Sequence, residues 1–404
     1  MKKLIFLLTI VFNAYGVDTL FVTYGSKPQN ELIIRYIDTK KTGYFFLKNQ
    51  EGEVVLQTSS TVALGKSYYL HRFIIGNLSP GQKVTFLAGI EKQAYTVSSL
   101  KEGPVSFCVT GDLYRRIKPY REGIKAMAQE NPDFVIFGGD LAYTSHGPIH
   151  FPSREFAIKR YITFFKVIAE YLKKADGELV PIIAACGNHD YKKGYNEYVL
   201  DLFFPPYSKT YFHYDLGKQL DLLILDTGHV APMTGLQQAF MKQVLQQSDK
   251  DFKIAVYHIG AYPSVYNYSS KSSQQVREAF CPIFDRYGVS FAFEHHSHAF
   301  KVTHPIKHDV INPEGTIYLG DGCLGVSPRK PKNKNAWFMQ DAQAIRHYFK
   351  VSVDKTLVIE AKDLSMRPIY PVIEKAAQRQ AMPAPQPQQN LSSQEDSETA
   401  LQGS

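Results

Sequence analysis

The chain has 404 residues, of which 44% are hydrophobic and 21% charged. That is enough for two or three domains with sizeable cores, and too apolar overall for a disordered chain. The formal net charge of +8 is a mild bias at this length. The densest basic stretch, Arg329–Lys334, is too short for a nucleic-acid tail and reads as a solvated loop, so no nucleic-acid partner is expected.

Residues 1–16 read as a signal peptide: Lys2 and Lys3 precede an apolar run, Leu4–Phe12, and Ala14-Tyr15-Gly16 offers small residues for cleavage. No later run reaches the ~18–20 apolar residues that a membrane span needs. The expectation is an exported chain, secreted or periplasmic, without a span. Cys108 and Cys186 sit in apolar strand patterns, Cys281 follows a helical stretch and Cys323 lies in a glycine-rich turn. They form neither a disulfide framework nor a zinc cluster.

Residues 17–100 read as short strands separated by turn residues, namely Leu20–Tyr24, Leu32–Tyr36, Gly43–Leu47, Glu53–Gln57, His71–Ile75 and Lys83–Ala88. Such spacing predicts a small β-sandwich. From residue 101 to 372 strands alternate with helices. The strands are Val105–Val109, Phe134–Phe137, Val180–Ala185, Leu220–Leu225, Ile254–Tyr257 and Val289–Phe293, with Thr316–Leu319 and Tyr348–Ile359 closing a sheet. Helices are expected near 121–129, 154–173, 236–247 and 272–287, where apolar residues recur at helical spacing. This alternation belongs to an α/β architecture. Residues 373–404, rich in Gln, Pro, Ser and Ala from Gln380 onward, read as a disordered tail.

Five strands of the α/β region end in residues that metals bind. They give Gly111-Asp112; Gly139-Asp140 with Tyr143; Gly187-Asn188-His189-Asp190; Tyr257-His258; and Glu294-His295-His296-Ser297-His298. Parallel sheets carry their sites at such strand ends. Residues two apart in extended chain point the same way, so His296 and His298 can face one site. Each block alone is weak, because Gly-Asp is a common turn and a lone histidine is usually structural. All five together point to a shared metal site.

These blocks resemble those of the calcineurin-like metallophosphoesterases, and the Gly-Asp-x-x-Tyr form is most similar to purple acid phosphatases. The likeness covers roughly residues 105–325, including Gly320-Asp321-Gly322. His71–Gly76 followed by Leu78-Ser79-Pro80-Gly81 resembles the fibronectin-like sandwich that precedes the catalytic domain of plant-type members. The resemblance implies a four-layer α/β/β/α domain over residues 101–372. It implies that Asp112, Tyr143 and His298 hold one metal, that Asn188, His258 and His296 hold a second, and that Asp140 bridges them. A tyrosine ligand implies Fe(III), because a phenol with a pKa near ~10 binds as phenolate only to a strong Lewis acid. The second ion would be divalent iron, zinc or manganese.

The implied reaction is hydrolysis of a phosphate monoester by hydroxide formed on the metals, with His189 as general acid toward the leaving group. The alternatives are a phosphodiesterase or nucleotidase on the same scaffold, and a metal-containing binding protein with little turnover. Two positions depart from the family pattern. Tyr266, Asn267 and Tyr268 stand where further histidines are usual, so that His146, His150 or His295 are candidates for the vacant role. His295 itself replaces the glycine before the final His-x-His pair, adding bulk or a phosphate contact.

Overall fold

The computed structural model describes residues 17–48, 52–145, 153–204 and 209–377. The segment read as a signal peptide, His146, His150 and the chain beyond residue 377 lie outside the described residues.

Two β-sheets pack face to face, with helices on their outer sides. The larger sheet has ten strands in the spatial order Ile373–Ala376, Thr356–Asp363, His347–Val353, Val105–Thr110, Phe134–Phe137, Ile182–Ala184, Phe21–Tyr24, Leu32–Asp38, Tyr69–Ile75, Ser60–Ala63. The smaller has seven, in the order Phe212–Leu216, Leu220–Ile224, Phe252–Ile259, Phe291–His295, Ile317–Gly320, Phe300–Thr303, Met339–Gln343. The helices are α1 (Ile117–Gln129), α2 (Arg154–Tyr171), α3 (Val199–Phe203), α4 (Leu236–Gln247) and α5 (Lys271–Tyr287). Helices α1 and α2 pack on the larger sheet, α4 and α5 on the smaller.

The alternation of side chains along a strand produces this layering. In Leu220–Leu225, Leu222 and Ile224 enter the core between the sheets with Phe107, Val109, Phe134 and Ile136. Leu223 and Leu225 point outward onto Met241, Leu245, Phe280 and Phe284 of α4 and α5. The rings of Phe293 and Phe349, one from each sheet, meet with centroids 5.4 Å apart. Each fully buried aromatic of this kind contributes roughly 1.5–3 kcal/mol. The ends of the helices follow local chemistry: Ser153 accepts a hydrogen bond from the Phe156 N–H at the start of α2, and Gly288 closes α5 in the left-handed conformation.

The N-terminal sandwich is present and is fused to the main sheet. Its second sheet, in the order Val54–Gln57, Phe45–Lys48, Lys83–Ala88, Gln93–Ser98, packs through Phe45 against Tyr36 and Phe73, with ring centroids 5.1 and 5.3 Å apart. Its other sheet continues the ten-stranded one, because Phe21–Tyr24 pairs in parallel with Ile182–Ala184. Two strands were not foreseen: Ser60–Ala63 is almost wholly exposed, and Gln93–Ser98 buries only Tyr95 and Val97. Order also persists past Val372. Ile373–Ala376 pairs antiparallel with Thr356–Asp363, half-burying alternate residues over a stretch too short to register as a pattern.

Candidate metal centre

The five ligand-bearing strand ends converge where the two sheets meet. Phe134–Phe137 pairs in parallel with Val105–Thr110 and with Ile182–Ala184. Across the interface Phe252–Ile259 pairs in parallel with Phe291–His295. Just past these ends the backbone turns sharply. Asp112, Asp140, Tyr143, His296 and His298 have φ of 56°, 54°, 52°, 74° and 63°. A left-handed residue that is not glycine costs on the order of 1–3 kcal/mol, and such residues gather at functional sites. The strain is held by neighbouring backbone. The N–H groups of Asp112, Leu113 and Tyr114 donate to the carbonyls of Gly139, Asp140 and Leu141 at 3.0, 3.0 and 2.9 Å.

All seven residues singled out in the sequence meet here, in two groups that share Asp140. In the first, His298 Nε2 lies 2.9 Å from Asp112 Oδ1, and the Tyr143 hydroxyl lies 3.0 Å from Asp112 Oδ1 and 3.2 Å from His298 Nε2. In the second, His258 Nε2 lies 3.1 Å from Asn188 Oδ1 and 3.3 Å from Asp140 Oδ1, and the His296 ring is centred 5.1 Å from that of His258. Ligand atoms of Asp112, Asp140 and His298, and likewise of Asp140, His258 and His296, lie within 4.8 Å of one another. His258 Nδ1 contacts the Gly138 carbonyl at 2.9 Å, which turns Nε2 inward as a ligand needs.

This arrangement fits two cations. Asp140 Oδ2 is buried and has no hydrogen-bond partner among the described residues, an expensive state for a carboxylate oxygen unless something positive completes it. The electrostatics agree. Burial works against ionisation of Asp140, but His258 and His189 outweigh it and hold its pKa well below the usual range. Burial likewise opposes charge on His258, and Asp140 overrides it, lifting the imidazole to about 9. A carboxylate that stabilises a proton there stabilises a metal ion in the same place. Burial and the His258 charge push His296 down to about 3, leaving a neutral imidazole. Burial, then Asp112 and Asp140, raise the Tyr143 phenol well above its ordinary value.

Around the ligands are residues whose roles were not foreseen. Asp190 accepts from the Leu141 N–H at 2.7 Å and the Gly187 N–H at 2.9 Å, fastening two ligand loops together. Burial and Asp140 raise its pKa to about 7. Its place directly after His189 was a visible signal. Arg160 on α2 donates to the carbonyls of Ala142 and Tyr114, clamping the loops that carry Asp112 and Tyr143. Nothing in the sequence marked it. His229 brings its ring within 5.7 Å of His258. His189 stacks on Tyr143 at 4.9 Å, with Nε2 3.8 Å from Asp140 Oδ2.

The two departures from the family pattern resolve differently. The idea that His295 contacts phosphate fails. The residue is 1% exposed and its ring wedges over glycines, so close that a Cβ on Gly138 would lie 1.7 Å from His295 Nε2. Tyr266 is at the site: its ring stacks on His296 at 5.0 Å. Tyr268 turns away and donates to Asp309 at 2.6 Å.

Comparison with known proteins finds relatives of this fold. Residues 105–300 match the family model of calcineurin-like phosphoesterases, and over that stretch the chain is similar to metallophosphoesterases. Within that class the chain is similar to purple acid phosphatases. It is 23% identical over 304 residues to purple acid phosphatase 5 of Arabidopsis thaliana, covering 70% of each chain. Among solved structures, the purple acid phosphatase PPD1 of yellow lupin (Lupinus luteus) superposes with a TM-score of 0.74 at 16% identity, over 89% of this chain and 74% of that one. PhoD superposes with a TM-score of 0.63 at 12% identity, over 90% of both chains. At these identities the superpositions speak for the fold, including the N-terminal sandwich.

Proposed function

We propose that the protein is a dinuclear-metal phosphoric monoester hydrolase resembling acid phosphatases. The observation that carries this reading is Asp140, shared between two ligand groups and left with an unsatisfied buried oxygen. Asp112, Tyr143 and His298 would hold one ion, Asn188, His258 and His296 the other, with Asp140 between them. When bound, two such cations supply positive charge for a phosphate group and lower the pKa of a coordinated water. The chain's own residues do the rest. His189, stacked on Tyr143, would give its Nε2 proton to the departing oxygen.

Tyr143 favours Fe(III) as its ion. A phenolate beside Asp112 and Asp140 adds a third negative charge to a buried pocket, which only a highly charged cation offsets. The second ion is divalent iron, zinc or manganese, all suited to imidazole, amide and carboxylate ligands. Export completes the reading, supported by the Lys2-Lys3 and Leu4–Phe12 pattern; no helix among the described residues is long and apolar enough to cross a membrane.

Two measurements test the proposal. Purified protein should contain two metal ions per chain and hydrolyse p-nitrophenyl phosphate far faster than bis-p-nitrophenyl phosphate. The reverse preference would make it a phosphodiesterase, and metal-loaded protein without turnover on either would make it a binding protein. A visible charge-transfer band that disappears in Tyr143→Phe is expected; a colourless protein with full activity would refute the ferric assignment.

A further inference from the structure

Arg329–Lys334 is not a free loop. Its first residue is mounted on the metal centre, since the Arg329 N–H donates to the carbonyl of His298 at 2.8 Å. Further along, the Lys332 and Asn333 N–H groups donate to the Ser264 carbonyl at 2.9 and 3.0 Å. The Asn333 side chain donates to the carbonyls of Pro263 and Tyr266 at 2.7 and 2.6 Å. Ser264 is itself fixed by Asp321, which accepts from its N–H at 2.8 Å and its hydroxyl at 2.6 Å. The basic loop is thus stitched to the segment that places Tyr266 over His296.

Arg329 and Tyr266 form a pair. The guanidinium donates from Nη1 to the Tyr266 hydroxyl oxygen at 2.6 Å and lies 5.6 Å from the ring centroid. Accepting that bond leaves the Tyr266 O–H proton to be given elsewhere, and among the described hydrogen bonds it goes to no protein acceptor. Tyr266 is 37% exposed, so the proton is open to a ligand. Arg329 keeps its remaining N–H donors and, among the described residues, no carboxylate lies within ion-pair distance of it. Lys330 and Lys332 add exposed positive charge on the same loop.

We infer that Tyr266 and Arg329 form an anion-binding subsite beside the metal pocket, and that the substrate is a phosphoester whose leaving group carries a second anionic group, phosphate or carboxylate. This rests on the phosphoesterase reading above. The metals would take the phosphoryl group, and the second anion would lie on the Tyr266 hydroxyl and the Arg329 fork. Planar, multi-donor recognition of this kind suits both carboxylate and phosphate.

The test is calorimetric titration of the metal-loaded protein with ethylphosphonate, 3-phosphonopropionate and methylenediphosphonate, with metal content measured before and after each run. Hydrolysis of p-nitrophenyl phosphate is followed in parallel. In the unaltered protein at least one double anion should bind about 10-fold or more tighter than ethylphosphonate, the worth of one charge-assisted hydrogen bond. Whichever arm gains, diphosphonate or carboxylate, identifies the second group. In Arg329→Gln the advantage should shrink to within about 3-fold, and Tyr266→Phe, which keeps the ring on His296, should lose part of it. Ethylphosphonate serves as the internal reference for an intact metal pocket. Equal affinity for single and double anions in a protein that hydrolyses p-nitrophenyl phosphate overturns the subsite and leaves the phosphoesterase reading standing. So does a Lys332→Gln variant that loses as much as Arg329→Gln, because diffuse loop charge would then account for the preference. A chain that retains no metal and binds no phosphonate overturns both.

Discussion

Replacing Lys301 with methionine should be among the most damaging single changes outside the ligands. Its ammonium group is completely buried and is the cation between two buried carboxylates, Glu294 and Asp321, the latter 2.9 Å away. It also donates to the Tyr262 carbonyl at 2.6 Å. Burial opposes its charge, yet Asp321 and Glu294 outweigh that and raise its pKa. Glu294 holds the Tyr257 hydroxyl at 2.7 Å and the Ala261 N–H at 2.6 Å, while the Asp321 carbonyl accepts from the His298 N–H at 3.0 Å. Methionine nearly conserves volume, so the change is mainly electrostatic: two carboxylates are left facing each other without a counter-ion. Removing one partner of a buried ion pair costs about 3–5 kcal/mol. Equilibrium urea unfolding at pH 7 of the metal-free protein should show that loss. Glu294→Gln with Lys301→Met should recover at least about 1 kcal/mol of it, since one stranded charge is gone. The metal affinity of Lys301→Met should fall as well, because this cluster holds the loops bearing His258, His296 and His298. A loss below about 1 kcal/mol, or no recovery in the double variant, would refute the reasoning.

Two further expectations follow from buried groups that are not themselves ligands. Burial pushes the His347 pKa down to about 4, whereas the unfolded imidazole titrates near ~6.5. The folded state needs it neutral, so the contribution is complete above pH ~6.5 and is lost as pH falls toward 4, by roughly 3 kcal/mol; unfolding free energies across that range should be flatter in His347→Gln. Gly138→Ala should fail to fold or lose metal binding, because the new Cβ would meet His295 Nε2 at 1.7 Å, and His295→Gly in the same chain should restore it. An alanine tolerated at 138 with His295 intact would show that the ring can leave its slot.

The parts of the molecule that were readable from sequence are those where short-range pattern and buried environment coincide. Phe134–Phe137 and Leu236–Gln247 fall at their expected bounds, one as an apolar run closed by glycines and the other as a helical stripe. The seven ligand candidates were readable because each lies in the last residues of such a strand or within about six residues past it. The strands missed are those whose pairing, rather than composition, holds them in the sheet. Phe300–Thr303, wholly buried between Ile317–Gly320 and Met339–Gln343, begins two residues after His298, with no turn residue between them to mark a new element. Arg160 and Arg329 act across 18 to 63 positions and Lys301 across 7 to 39, and a lone basic residue carries no mark of the group it will meet.

His295 shows why a departure from a family pattern has to be weighed in three dimensions. In the linear chain an imidazole in place of glycine, flanked by metal-type residues, looks like added chemistry. In the fold its ring is spent on packing: Gly111, Gly138 and Gly322 open the slot it fills, and a side chain on any of them would press into it at 2.5, 1.7 or 3.1 Å. The ring thereby backs the strand ends that carry Asp112 and Asp140, two residues kept in left-handed backbone. Tyr266, by contrast, looked like a loss of chemistry and lies against a ligand with a hydroxyl to donate. The bulk added at 295 therefore bears on the stability of the cage, and the change at 266 on what the cage accepts. Both adjoin His296, so the two are separated by reading metal affinity in variants at 295 and anion preference in metal-loaded Tyr266→Phe, which keeps the ring on that ligand.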